Sequence, residues 1–239
     1  MSEIYNVENI NPVHINGTII IVAIYINNDL NNYNELIKCL IQLRNIYTNE
    51  NIIAVDNCSL NNKWHDEATK LNINILHNNS ILHKFESGAY KKALQHFRAD
   101  KYIFIQGTIF INNKLDLSLL DTNEEMVIAF LNLDNLCWEP NVTFFINKLL
   151  LEINMKKRDN EDGHITWCSF CANNSFVNKM LNDRIFDLPS NTKAHSCAFE
   201  NILGCYFTKV LKNIKSIEDQ NSFKKIYLKQ EIPFFPQIE

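Results

Sequence analysis

Ile19-Ile20-Ile21-Val22-Ala23-Ile24-Tyr25-Ile26 (IIIVAIYI) is the longest apolar run in the chain, and its reading decides the fold. Eight residues are far too few to cross a membrane, which takes about 20. A continuous run rich in Ile is instead the pattern of a strand covered on both faces, as in parallel sheets. The residues that follow agree. Tyr33, Leu36, Ile37, Leu40 and Ile41 lay an apolar stripe at helical spacing, and Asn32-x-x-Glu35 reads as a capping box at its start. Asn51–Asn57 (NIIAVDN) is a second strand ending in Asp56, residues 60–70 suit a short helix, and Ile73–His77 is a third strand. Glu86–Phe97 repeats the helical period through Tyr90, Ala93, Leu94 and Phe97, and Tyr102–Ile105 is a fourth strand running into Gln106-Gly107-Thr108. Strands alternating with helices at this spacing make βαβ units, hence an α/β fold with a parallel sheet.

The second half is less regular. Met126–Leu133 and Ile165–Cys171 read as strands, and Asn141–Asn154 and Asn174–Leu181 as helices. Phe199, Ile202, Leu203, Tyr206 and Val210 form an amphipathic helix, with Ser196 placed as its cap. Met155–Gly163 (MKKRDNEDG) is a charged break, read as a solvated loop. No repeat or linker divides the chain, so the expectation is one domain over 1–239, with functional halves at about 17–120 and 121–239.

Composition narrows the classes. With 239 residues and 46% hydrophobic content the chain can bury a sizeable core and lies outside the disordered range. A net charge of −4 argues against a nucleic-acid partner, since nonspecific duplex binding draws on many Lys and Arg. The abundance of Asn and Ile, which have A/T-rich codons, is read as genome bias. The first residues carry acidic side chains and no apolar core of a secretory signal, so a cytoplasmic protein with no transmembrane segment is expected. Seven cysteines, an odd number scattered along the chain, read as buried free thiols. Cys168-x-x-Cys171 would need two of Cys197, Cys205, His164 and His195 to hold zinc, and strand alternation sends residues 168 and 171 to opposite faces.

The common nucleotide signatures are missing. There is no G-x-G-x-x-G, no Gly-rich loop ending in Gly-Lys-Ser/Thr, no G-x-S-x-G and no H-E-x-x-H. In open α/β sheets ligands sit beyond the carboxyl ends of the strands, which points to Tyr25–Asn28, Asp56-Asn57, Asn78-Asn79 and Gln106-Gly107-Thr108. The order of these strand ends, together with FESGAYKKAL (Phe85–Leu94) and ADKYIFIQGTIFI (Ala99–Ile111), resembles the nucleotide-sugar half of GT-A-fold glycosyltransferases. E-x-G-A-Y followed by a strand and Q-G-T is most similar to small glycosyltransferases of large DNA viruses and to capsular-polysaccharide enzymes. A viral source, with a host-cytoplasmic location, would also fit the A/T bias.

The resemblance implies a GT-A-like, Rossmann-like mixed sheet, mostly parallel and flanked by helices. It implies a UDP- or GDP-linked sugar as donor, a glycan or glycoprotein as acceptor, and a hexosyl or deoxyhexosyl group transferred with inversion. On the donor side it marks Tyr25, Asp56, Asn57, Asn79, Glu86, Gly88, Tyr90, Lys91, Gln106, Gly107 and Thr108. Asp56 would accept from the base imide or ribose hydroxyls, though an Asp at a strand end also caps turns. Tyr90 lies on the apolar stripe and reads equally as core. Glu200 corresponds to the carboxylate that such inverting enzymes place at the start of a late helix as general base, with His195 a weaker alternative. The family's D-x-D metal motif, for Mn²⁺ or Mg²⁺, is replaced by Gln106-Gly107-Thr108, so no metal ligand is assigned. Three explanations stand side by side: a dispensable metal, a carboxylate from elsewhere such as Glu86 or Asp134, or a catalytically inactive module that binds a nucleotide sugar or glycan. A nucleotidyltransferase would need a Gly-rich, basic N-terminal loop that the chain lacks.

Overall fold

The structure is a computed structural model describing residues 11–80, 83–122, 126–132, 140–156, 164–211, 213–216 and 223–225. Its elements are β1 (Val13–Ile24), α1 (Leu30–Ile46), β2 (Asn51–Asp56), α2 (Trp64–Lys70), β3 (Asn74–His77), α3 (Glu86–His96), β4 (Phe97–Gln106), β5 (Ile109–Ile111), α4 (Leu119–Thr122), β6 (Met126–Asn132), α5 (Pro140–Glu152), β7 (His164–Asn173), α6 (Asn174–Asn182), α7 (Lys193–Val210), β8 (Asn213–Ser216) and β9 (Phe223–Lys225). Seven strands form one sheet in the order β3-β2-β1-β4-β7-β6-β8, and β5 pairs with β9. Within the sheet only β7 runs against its neighbours; the other pairings are parallel.

The apolar run behaves as a doubly covered strand should. Ile19 and Ile21 pack with Ala89, Tyr90, Phe170, Phe199 and Phe207 on one face of the sheet. Ile20, Val22 and Ile24 pack with Leu36, Leu40, Leu43 and Trp64 on the other. A third cluster joins Ile146, Leu149 and Leu150 of α5 to Ala198, Ile202 and Cys205 of α7. Burying both faces of β1 therefore places helices on each side of the sheet and fixes α3 and α7 together on one of them.

Several boundaries differ from the sequence reading. β1 extends back to Val13, past a bulge at Gly17, whose φ is 87° and whose N–H donates to Asp100 Oδ2 at 2.6 Å. β4 likewise begins at Phe97, pairing with that extension, because the alternation of Val13–Ile15 is short and broken by the glycine. The cap of α1 is Asp29 rather than Asn32: its carboxylate accepts the N–H groups of Asn31 and Asn32, and Asn32 lies buried, its amide donating to Asn27 Oδ1 at 2.8 Å. α7 starts at Lys193, capped by Thr192, so Ser196 lies inside the helix and Glu200 is two turns in rather than near the start. Cys168 and Cys171 do pack on opposite faces, and the described cysteines are free thiols. Asp134 and residues 157–163 of the charged break lie outside the described residues.

Two features hold the region around α3. α3 passes into β4 with no residue between them, and β7 passes into α6 in the same way. The N-terminal turn of α3 is pinned by a crossing strap: Lys84 and Phe85 N–H both donate to Ser190 O at 3.1 Å, and a Cβ on Gly88 would collide with the carbonyl of His83.

Gly88→Ala tests that approach. Helix propensity alone would favour Ala by about 1 kcal/mol, but the collision is with backbone, which cannot rotate away. The variant should lose about 1–3 kcal/mol in urea unfolding, and a variant as stable as the parent would show that the strap can shift.

His195 supplies a second test. Its imidazole, with Nδ1 2.7 Å from Thr192 Oγ1, is pushed down to about 4 by burial and then by the nearby Lys148 charge. As pH falls below the ordinary value of 6.5, the unfolded chain takes up this proton while the folded chain does not. Stability should therefore fall between pH 6.5 and 4, and His195→Gln should flatten that part of a pH series of unfolding midpoints.

Candidate functional site

The carboxyl ends of β1, β2, β3 and β4 lie side by side, and the backbone keeps pairing beyond them. Asn57 N–H donates to Ile24 O, Asn78 N–H to Asp56 O, and Gly107 N–H to Ala23 O, each at 2.8 Å. These bonds fix where the strand-end side chains stand. Tyr25 is half-buried just past β1, Thr108 half-buried past β4, and Asn79 exposed past β3.

At the β2 end Asp56 is buried. Its Oδ1 accepts the Ser59 N–H at 2.8 Å, and its Oδ2 lies 2.9 Å from His65 Nε2 and 3.8 Å from His77 Nδ1. Parallel pairing sets Asp56 level with His77, while Trp64, wholly buried, anchors the start of α2 and brings His65 round to the carboxylate. Beside them the buried amides of Asn57 and Asn78 are joined at 2.8 Å, and Asn78 Nδ2 also donates to His83 O. Asn78 thus ties the β2 and β3 ends to the strap over Gly88, whereas Asn79, its exposed neighbour, has no such role.

At the β4 end stands the joint of the site. Gln106 Nε2 donates to Glu86 Oε1 at 2.6 Å, and Ser196 Oγ donates to Glu86 Oε2 at 2.8 Å, all three residues being buried. One carboxylate therefore connects β4, α3 and α7. Hydrogen bonds to a charged group are worth about 1.5–3 kcal/mol, more than neutral ones. Ser196 and Glu200 lie one turn apart on the same face of α7, so half-buried Glu200 stands on the helix face that the joint holds. Burial drives the Tyr90 phenol well above its usual range, with further upward pushes from Cys168, Glu86 and Glu200, so both glutamates lie within electrostatic reach of that ring.

The other expected donor residues divide. Tyr90 is wholly buried, stacked edge-on with Phe104 at 4.9 Å and donating its hydroxyl to Cys168 O at 3.1 Å. It is a core residue, and the donor contact expected of it is corrected accordingly. Lys91 Nζ pairs with Asp187 Oδ1 at 2.9 Å. Burial works to raise the Asp187 carboxyl, but Lys91 and Arg184 outweigh it and hold it below the ordinary range. Gly107 is buried where a Cβ would press on Ile24 and Leu36, so the turn after β4 requires glycine for packing.

Divalent metals are common in GT-A enzymes, and the residues at β4's end can be tested for one. Gln106 is turned to Glu86, whose two oxygens accept from Gln106 and Ser196, and the Gln106-Gly107-Thr108 turn itself presents no carboxylate where a D-x-D motif would offer two. These residues do not fit Mn²⁺ or Mg²⁺ held in that way. The described His, Cys, Asp and Glu side chains that do converge are Asp56, His65 and His77. Sequence reasoning missed both histidines, although His77 closes the third strand and parallel pairing would have set it beside Asp56. Nothing local marks His65.

No family model and no curated protein matches the chain. Among solved structures, S. aureus TarS 1–349 in complex with UDP-GlcNAc aligns with a TM-score of 0.52 at 13% identity, covering 90% of this chain and 60% of that one. 4-diphosphocytidyl-2C-methyl-D-erythritol synthase from Anaerococcus prevotii aligns with a TM-score of 0.51 at 13% identity, covering 87% of this chain and 91% of that one. The galactosyltransferase LgtC, with donor and acceptor sugar analogues, aligns at 0.46 and 11% identity over 84% of this chain and 73% of that one. This chain thus spans three-fifths of the TarS segment, and what the likenesses establish is the architecture: a GT-A-like α/β fold with a mixed, mostly parallel sheet.

Proposed function

We propose that this protein is a glycosyltransferase that moves a sugar from a UDP- or GDP-linked donor to a glycan or protein-linked acceptor with inversion. The observation that supports the reading is the Glu86 joint, which ties α7, the helix that carries Glu200, to Gln106 at the end of β4. A fold shared with a TarS structure that contains UDP-GlcNAc supports a nucleotide sugar as the ligand of those strand ends.

In this mechanism Asp56 and Asn57 take the base and ribose end, with Tyr25 and Asn79 at its margin, and the Gly107-Thr108 turn faces the diphosphate, with Gln106 held behind it by Glu86. Glu200 removes the proton from an acceptor hydroxyl, the oxygen forms a bond to the anomeric carbon, and the bond to the diphosphate breaks with its electron pair leaving on phosphate. Backbone N–H groups and the Thr108 hydroxyl stabilise the developing charge. Lys91 is left out of this step because Asp187 engages it.

A second reading has its own support. The Gln106-Gly107-Thr108 turn at the β4 end carries no carboxylate, and Gln106 and Ser196 both engage Glu86, which suits a module that binds a nucleotide sugar without turning it over. Donor hydrolysis separates the two: a transferase releases the nucleoside diphosphate slowly without acceptor, and a binder releases none.

Two outcomes are expected. Glu200→Gln should reduce transfer at least about a hundredfold, in the range that a positioned base supplies, with donor affinity unchanged by calorimetry; retained turnover would remove Glu200 from the mechanism. In a thermal-shift screen against UDP, GDP and their sugars, the right donor at about one hundred times its dissociation constant should add about 2.7 kcal/mol of stability without added Mn²⁺. Asp56→Ala should weaken that donor at least about tenfold, and stabilisation by no nucleotide would overturn the donor reading.

A further inference from the structure

Asp56, His65 and His77 come from three different elements, yet one ligand atom from each lies within 4.8 Å of the others. The geometry points to a zinc site formed by these three side chains at the carboxyl ends of β2 and β3. A tetrahedral zinc with bonds of about 2.0–2.2 Å separates its ligand atoms by roughly 3.3–3.5 Å. Here Asp56 Oδ2 is 2.9 Å from His65 Nε2 and 3.8 Å from His77 Nδ1, so the two distances bracket that value.

The arrangement within the cluster supports a cation. A single carboxylate oxygen faces both imidazole nitrogens, while the other oxygen is oriented by the Ser59 N–H at 2.8 Å, the kind of outer bond that aligns a metal-binding carboxylate. Asp56 is buried and His65 is fixed by its place beside buried Trp64, so two ligands are preset. The His77 side chain is 57% exposed and can close the remaining distance. Three protein ligands leave a fourth position for water or an anion, as in open zinc sites. Two imidazoles among three ligands select against Mg²⁺ and Ca²⁺, which take oxygen. This cation is therefore a different one from that of a D-x-D motif, and it stands at the β2 and β3 ends rather than at β4.

The test is a calorimetric titration of the full chain with Zn²⁺, thiols reduced, alongside the absorption spectrum with Co²⁺. One equivalent should bind, with cobalt bands that lack thiolate charge transfer. His77→Ala, a change at an exposed position, should weaken binding beyond the roughly 10–100-fold that loss of an outer-shell partner costs, with unchanged circular dichroism. No stoichiometric binding, equal binding in the variant, or a thiolate band would each overturn the site. The titration contains no nucleotide, so its failure leaves the donor reading standing, and a failed donor screen leaves the zinc site standing.

Discussion

The Glu86 carboxylate, held between Gln106 and Ser196, is the interaction on which the site depends. It is buried and accepts from one residue at the end of β4 and one on α7. The apolar clusters hold α3 and α7 against the same face of the sheet, but apolar contact is non-directional and would tolerate small slides. Two short hydrogen bonds to one carboxylate remove that freedom. Removing the carboxylate would leave two buried donors unsatisfied, at about 1–3 kcal/mol each. The register of α3, β4 and α7 thus rests on polar specificity, laid over a core that supplies the bulk of the stability.

The same economy explains the residues around it. Asn57 and Asn78 bond to one another and to the strap above Gly88, so the loop ends of β2 and β3 are braced by side chains rather than by further core. Asp56 is braced by Ser59 and by two histidines. Polar residues at these strand ends are therefore largely committed to one another.

Sequence reading reached the parts of the fold governed by local pattern. The doubly buried run at Ile19–Ile24, the helical stripes and the strand ending in Asp56 all follow from periodicity, and the strand-end rule then marked Asp56, Asn57, Asn78 and Gln106. It misplaced boundaries wherever a tertiary partner decides them. Asp29 outcompetes Asn32 as a cap because the Asn32 amide is taken by Asn27, and Thr192 outcompetes Ser196 because the Ser196 hydroxyl is taken by Glu86. The cluster of Asp56, His65 and His77 was invisible as a unit, since its members are separated by a helix and a loop and meet only through sheet pairing. Tyr90 shows the opposite limit: its position on the apolar stripe was legible, but only the packing against Phe104 and Phe170 decides that the ring belongs to the core.

The loop-free passage from α3 into β4 has a consequence for how this chain can vary. Glu86 and Gln106, the two ends of one hydrogen bond, are also the ends of an uninterrupted helix-strand run. Inserting one residue in the helix would rotate Glu86 by about 100°, and one in the strand would turn Gln106 to the opposite face. The run acts as a ruler of fixed length, closed to insertion and deletion. Drift in the lineage is confined there to substitution, and length changes must collect in the connections that carry no such bond.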